Sequence, residues 1–285
     1  MYTYVNSLLM PAAYTYPLDI QNGSAAFGLV KLRSAYAGSA LRLRRASDDA
    51  ETDIGFSGFM LDTAAMFTHC AGGINGYVVT LYDQTGNARD VTQGTKLNQP
   101  QIISAGGLAA TIGGKPAMIC SVTGWLAGTT ATQFITNTEG TAFYSFHPTS
   151  ITQNNASPSA NHIIWGDNGG WVGTALKATP VIQCFGTDSG EVSADQAIVN
   201  AMDYVGVWQH TGGTVSNFLN SATAGASTAL GATGMTTSVF RVANNATGDF
   251  EGYLSTLLTY SATVAGANLD AIGDALATYH GVTWS

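Results

Sequence analysis

From about residue 100 onward the sequence breaks into short apolar runs separated by Gly, Asn, Thr and Ser: Ile102–Ser104, Ala117–Val122, Phe143–Phe146, His162–Trp165, Val181–Phe185, Tyr204–His210, Ser238–Val242 and Gly252–Tyr260. Runs this short, ended each time by turn formers, do not make helices that bury a face. Their recurrence points to a sandwich or barrel of antiparallel strands. The charge content agrees. Only 10% of residues are charged, with four Glu and four Lys in the whole chain, and helices normally clothe their solvent faces with those residues. With 45% apolar residues and 34 Gly, the chain can bury a large core, and 285 residues suit one large β domain better than two small ones.

The first hundred residues are more varied. Residues 1–20 carry Tyr2, Tyr4, Tyr14 and Tyr16 with Pro11 and Pro17, a mixture that disfavours helix and suits an extended arm. Such an arm either lies on its own domain or reaches a neighbouring subunit. Residues 25–36 place Phe27, Leu29, Val30, Leu32 and Tyr36 where one face of a short helix could use them, with Gly38 as a stop. Ala40–Arg45 alternates Leu41 and Leu43 against Arg42 and Arg44, the period of a strand with one wet face, and a second strand is expected at about 52–57. Leu61–Cys70 reads as helix and Gly76–Tyr82 as a central strand. Near the end, Leu269, Ile272, Leu276 and Tyr279 recur at helical spacing before Gly281, which predicts a closing helix over 265–279 across one end of the sandwich.

A formal charge of −8 argues against a nucleic-acid surface. Half of the basic residues cluster at Lys31, Arg33, Arg42, Arg44 and Arg45, and they are expected to pair with Asp48, Asp49, Glu51 and Asp53. Cys70, Cys120 and Cys184 lack any metal or redox spacing and are expected to be buried and free. The N-terminus lacks the pattern of a signal peptide, and no run is apolar enough to cross a bilayer, so membrane insertion is not expected. His69, His147, His162, His210 and His280 form no zinc pattern, there is no GxSxG elbow, and the Asn-x-Ser/Thr triplets at Asn22, Asn155 and Asn245 are chance-level in such a composition. No cofactor is expected. If Ca²⁺ binds, Asp167 and Asp188 with loop carbonyls would supply the oxygens, but no spaced loop motif marks a site.

Three turn sequences occur in a telling order: Ser47-Asp48-Asp49, then Tyr82-Asp83-Gln84-Thr85-Gly86-Asn87, then Thr92-Gln93. Over residues 31–102 the chain resembles the opening of the catalytic domain of the fungal α-L-arabinofuranosidase B family. The tail, with Gly252-Tyr253-Leu254 before a polar turn and a closing helix, is similar to laminin-G or concanavalin A-like domains. Domains with this opening and closing also occur in tailed-bacteriophage virion proteins. The resemblances imply an all-β fold: a concanavalin A-like antiparallel β-sandwich (jelly roll) over residues 21–285, with a few short helices, behind the arm at 1–20. The turns themselves read as structural, since Asp83 and Asn87 can bond nearby backbone N–H groups and Gly86 can take positive φ.

A retaining glycosidase needs two carboxyl groups roughly 5–5.5 Å apart. The family places its nucleophile after a His, where the local match is His162-Ile163-Ile164-Trp165-Gly166-Asp167, apolar where a carboxylate is required. Its acid/base lies in a Gly-Gly-Asp-Asn stretch whose counterpart is Val242-Ala243-Asn244-Asn245, and its paired adjacent cysteines are missing. Asp167, Asp249 and Glu251 are the substitutes available. Trp165, Asp167, Asn168 and Trp171 make the most site-like segment for a sugar, the competing reading being a hairpin turn with one core Trp. These points lead to the expectation of a non-catalytic virion component (a head-decoration, fibre or tail protein) exposed on the particle. It would contact other virion proteins, with a cell-surface glycan as a second expected ligand, as a homo-oligomer of which a trimer is one order. An arabinofuranosidase-like hydrolase and a stand-alone carbohydrate-binding module are the alternatives.

Overall fold

The computed structural model describes residues 14–121, 124–130, 134–136, 139–149, 162–167, 172–177, 181–186, 193–229, 239–243 and 250–285. Their strands form two layers. The first runs Glu51–Ile54, Leu41–Arg45, Gly76–Leu81, Gln101–Ser104, Lys115–Cys120, Gly252–Tyr260, Gly140–Pro148, Tyr204–Thr211, Thr214–Leu219 and Ala226–Ala229, each antiparallel to the next. Ala25–Gly28 joins Gly252–Tyr260 beyond the end of Lys115–Cys120. The second runs Val91–Thr92, Leu126–Thr130, Val239–Val242, His162–Asp167, Val172–Lys177, Val181–Gly186 and Ser193–Ala197. Val91–Thr92 also pairs with Gly76–Leu81, so the hydrogen bonding passes from one layer to the other.

The main core lies between the layers. Leu41, Leu43, Val78, Ile103 and Met118 enter it from the first, and Ile164, Trp165, Leu176 and Ile182 from the second. A second cluster lies on the outer face of the first layer, where Leu269, Ile272 and Leu276 of helix Ala267–His280 meet Phe143, Val205, Val207 and Leu258. That helix ends at Gly281 in the left-handed conformation, as the sequence predicts. The expected helix near 61–70 is Thr63–His69, with Asp62 accepting a hydrogen bond from the Ala65 N–H at 3.0 Å.

The helix expected over 25–36 is not formed. Residues 25–28 are strand, and from there to Leu32 side chains alternate: Ala25, Phe27 and Leu29 enter the main core, while Ala26, Val30 and Leu32 enter the outer one. A segment buried on both faces is apolar throughout, and such a run carries no period to tell strand from helix. The extended arm also needs correction at its described end. Pro17–Ile20 is a single helical turn with Pro at its start, where the missing N–H costs nothing. Tyr14 stacks on Phe59 at 4.7 Å and Leu18 is buried in the outer cluster, so residues 14–20 pack on their own domain. Residues 1–13 lie outside the described residues.

The turn motifs are structural. The Asp83 carboxylate accepts from the Ala26 N–H at 3.0 Å and the Thr85 N–H at 2.9 Å. Gln84, fully buried, donates to the carbonyls of Gly28 and Val30 at 3.0 Å each and accepts from the Leu32 N–H at 2.7 Å. Asn87 donates to the Ser24 carbonyl at 2.9 Å, and Gly86 takes φ +89° between them. Three of the five clustered cations pair as expected, Arg42 with Asp53 (2.8 Å), Arg44 with Asp49 (2.8 Å) and Arg45 with Asp48 (2.7 Å), whereas Arg33 instead donates to the Thr85 carbonyl at 2.7 Å.

The closing helix is also held at its C-terminal end. His280 is 1% exposed and its Nδ1–H donates to the Ile112 carbonyl at 3.3 Å. The neighbouring turn fits under the helix because Gly113 has no side chain: a Cβ there, at φ +56°, would lie 1.6 Å from the His280 carbonyl oxygen. Burial lowers the His280 pKa from 6.5 to about 4, so the folded form keeps a neutral ring while the unfolded chain takes up a proton below 6.5. Stability from this group is therefore present above pH 6.5 and is lost as the pH falls toward 4. Urea denaturation across that window should show a loss on the order of 3 kcal/mol, and a His280→Gln variant should show a flatter pH dependence between the same limits.

Candidate active site

Strand His162–Asp167 lies between Val172–Lys177 and Val239–Val242. The first pairing makes the hairpin that the sequence allows for, and Trp165 is its core Trp. It is 1% exposed, with Trp208 edge-on at 5.5 Å, Phe240 at 6.2 Å and Tyr144 at 6.5 Å. Its Nε1 has no hydrogen-bond partner among the described residues. A ring enclosed in this way stabilises the junction of the layers and has no face left for a sugar, which corrects its reading as a ligand-stacking residue. Asp167 ends the strand opposite Phe240. Asn168, Trp171, Asp188 and Asp249 lie outside the described residues.

The second pairing is the informative one. Trp165 stands opposite Val242, the Ala243 N–H donates to the Ile164 carbonyl at 2.8 Å, and the Phe250 N–H donates to the Ala243 carbonyl at 3.0 Å. The two segments that the family resemblance assigns to nucleophile and acid/base are therefore side by side, and the chain returns past them at Phe250 and Glu251. Neighbouring strands are about 4.8 Å apart, the scale of the carboxyl separation used by retaining enzymes. Ile164 itself is fully buried and apolar. Glu251 is half-buried directly after this junction, its carbonyl accepting from the Thr149 N–H at 3.1 Å.

Other reactive groups near this layer are quiet. Cys184 is buried and free, as are Cys70 and Cys120, and burial pushes the Cys184 thiol up to about 12, so it carries no thiolate at neutral pH. Among the described residues no group of three His, Cys, Asp or Glu side chains is placed to hold a metal ion.

The first layer carries a feature that the sequence reading missed. A cleft of about 480 Å³ opens on its outer face over Tyr77, Gln101 and Ile119, backed by Arg44 and Gln99. Tyr77 lies within the run read as a central strand, and its outward position follows from the alternation with buried Val78. That alternation was the available signal.

The model of the α-L-arabinofuranosidase B catalytic domain matches residues 21–159. Among solved structures, an arabinofuranosidase complexed with arabinofuranosyl-α-1,2-xylobiose superposes with a TM-score of 0.70 at 17% identity, over 93% of this chain and 65% of that one. The fold is the arabinofuranosidase β-sandwich. A GH54 α-L-arabinofuranosidase soaked with a cyclic sulfate inhibitor gives 0.66 at 17% identity with the same coverage. The binding domain of Paraclostridial Mosquitocidal Protein 1 gives 0.50 at 7% identity, over 69% of this chain and 49% of that one. No curated protein matches. The chain spans about 65% of the length of the arabinofuranosidases it superposes on.

These matches overturn the expectation of a non-catalytic virion component. The matched model is that of a catalytic domain and the leading superpositions are on hydrolases, with no support for a phage setting. The expectation leaned on missing carboxylates at single positions, and one position is a weak guide when the whole sandwich is retained.

The burial of Trp165 has a measurable consequence. Trp165→Ala should cost about 3–5 kcal/mol of unfolding free energy, read as a lowered urea midpoint, while Trp165→Phe should retain more than half of the lost stability. A Trp165→Ala protein as stable as the parent would show that the ring is not part of the core.

Proposed function

We propose that this chain is a glycoside hydrolase domain that releases arabinofuranosyl groups from a glycan. The observation that carries the reading is the register of the second layer, which sets Ile164 against Ala243 and returns the chain to Ala243 at Phe250, the residue before Glu251, on a sandwich that superposes over 93% of its length on an arabinofuranosidase. The relative's bound arabinofuranosyl-xylobiose supports the same substrate class.

Hydrolysis of a furanoside needs one carboxylic acid to protonate the leaving oxygen and one carboxylate to attack or to activate water. Ile164 can do neither, so this reading places the chemistry on carboxylates flanking the junction. Glu251 is the first, and Asp249 and Asp167 are the candidates for its partner.

The test is release of nitrophenol from 4-nitrophenyl α-L-arabinofuranoside. The parent should hydrolyse it, and Glu251→Gln should lower kcat/KM by about 10²-fold or more with unfolding unchanged. Asp249→Asn and Asp167→Asn identify the partner by a comparable loss in one of them. A parent protein inert on this and on other aryl glycofuranosides would sink the reading. Full activity in all three variants would sink the residue assignment.

A further inference from the structure

The outer face of the first layer is covered over only part of its extent. The closing helix, and the hairpin of Ala110–Ile112 with Lys115–Cys120, cover it as far as Ile119 and Tyr253. From there a single cross-strand row continues: Tyr253 stands opposite His147 on one side and Ile119 on the other, Ile119 opposite Gln101, Gln101 opposite Tyr77, and Tyr77 opposite Arg44. Residues directly opposite in register share a face of the sheet. Leu43 and Val78, one residue along the same two strands, are in the main core, so this row faces outward.

The rings in the row stand upright. The His147 ring lies parallel to that of Tyr253, with centroids 5.0 Å apart and planes 13° apart, and the Arg44 guanidinium lies 4.9 Å from the Tyr77 ring centre. A partner one strand spacing away and stacked face-on requires each ring plane to run along the strands. His147 and Arg44 thus occupy the outermost ring faces. The inner faces of Tyr77 and Tyr253 look toward each other across Gln101 and Ile119, three strand spacings or about 14 Å apart. Over the Tyr77 half of this trough the cleft is rimmed by Lys96, Leu97 and Ser121, and Leu97 is 84% exposed.

The lining fixes the kind of ligand. Arg44 is paired with Asp49 and bonded to Gln99 Oε1 at 2.6 Å, and Lys96 also pairs with Asp49, so both cations in the lining are already ion-paired, though they share one carboxylate. Gln101 donates through Nε2 to the Ile103 carbonyl at 2.9 Å, and its Oε1 takes no described hydrogen bond. The strands under the row are interior to the layer, with main-chain groups paired on both sides, so no edge is available to an added peptide strand. An upright Tyr77 ring with the Gln101 amide oxygen beside it suits the C–H faces and hydroxyls of an uncharged sugar chain.

We propose that this cleft is a second carbohydrate site, which holds an unbranched stretch of the neutral glycan whose arabinofuranosyl branches are cut at the other layer. The ligand's identity rests on the hydrolase reading, and the existence of the site does not. Held at the first layer, the polymer stays with the domain between cleavage events at the second.

The experiment is affinity gel electrophoresis of the full chain through soluble arabinoxylan and, separately, debranched xylan, run beside the aryl arabinofuranoside assay. The parent should be retarded in both gels. Tyr77→Ala should weaken the retardation by about tenfold while Tyr77→Phe keeps it, and Leu97→Ala, at a position too exposed to affect folding, should weaken it measurably. Hydrolysis of the small aryl glycoside should be unchanged in all three. A parent with no retardation, or equal retardation in Tyr77→Ala and Leu97→Ala, overturns the proposal. Retardation that depends on Tyr77 in a protein inert on the aryl glycoside upholds the cleft and removes the hydrolase reading instead.

Discussion

The buried Asp83-Gln84 pair holds together segments that no strand pairing joins. The two side chains meet the main chain of Ala26, Gly28, Val30 and Leu32, groups that are in part beyond the end of the strand at 25–28. Buried main-chain groups without partners are costly, and here a single turn satisfies several of them. It thereby lets the chain from Ala25 to Leu32 serve as a partition, with one core on each side. The closing helix, packed on Phe143, Val205, Val207 and Leu258, shares the outer cluster with the outward side chains of that partition.

This dependence explains what the sequence made legible. Runs such as Gly252–Tyr260 and Tyr204–Thr211 are apolar and β-branched, and they are strands within a residue or two of their expected limits. Ser193–Ala197, Thr214–Leu219 and Ala226–Ala229 were not legible, because small polar residues there make ladders without a large apolar signature. The stretch at 25–36 misled for the opposite reason, being apolar on both faces. The Tyr-Asp-Gln-Thr-Gly-Asn motif identified the fold correctly because its residues are fixed by the main chain that they must bond.

The candidate site was less legible. Trp165 and Asp167 are adjacent to the junction that matters, yet burial takes Trp165 into the core. What sets the site is a register between strands about 75 residues apart in sequence, Trp165 against Val242, and no local pattern encodes such a pairing. The outward row from Arg44 to His147 is assembled in the same way, one residue from each of six strands. Function read from one segment at a time is blind to sites of this construction.

The three free cysteines stand in three different parts of the molecule. Cys70 closes the short helix Thr63–His69 against Gly76, Cys120 ends a strand of the first layer, and Cys184 lies within a strand of the second. All three are buried and protonated. A thiol in that state reacts with a disulfide reagent only when its surroundings open. The chain therefore carries its own set of reporters, one for each part, whose labelling rates would tell whether the sandwich opens as a unit or one layer at a time.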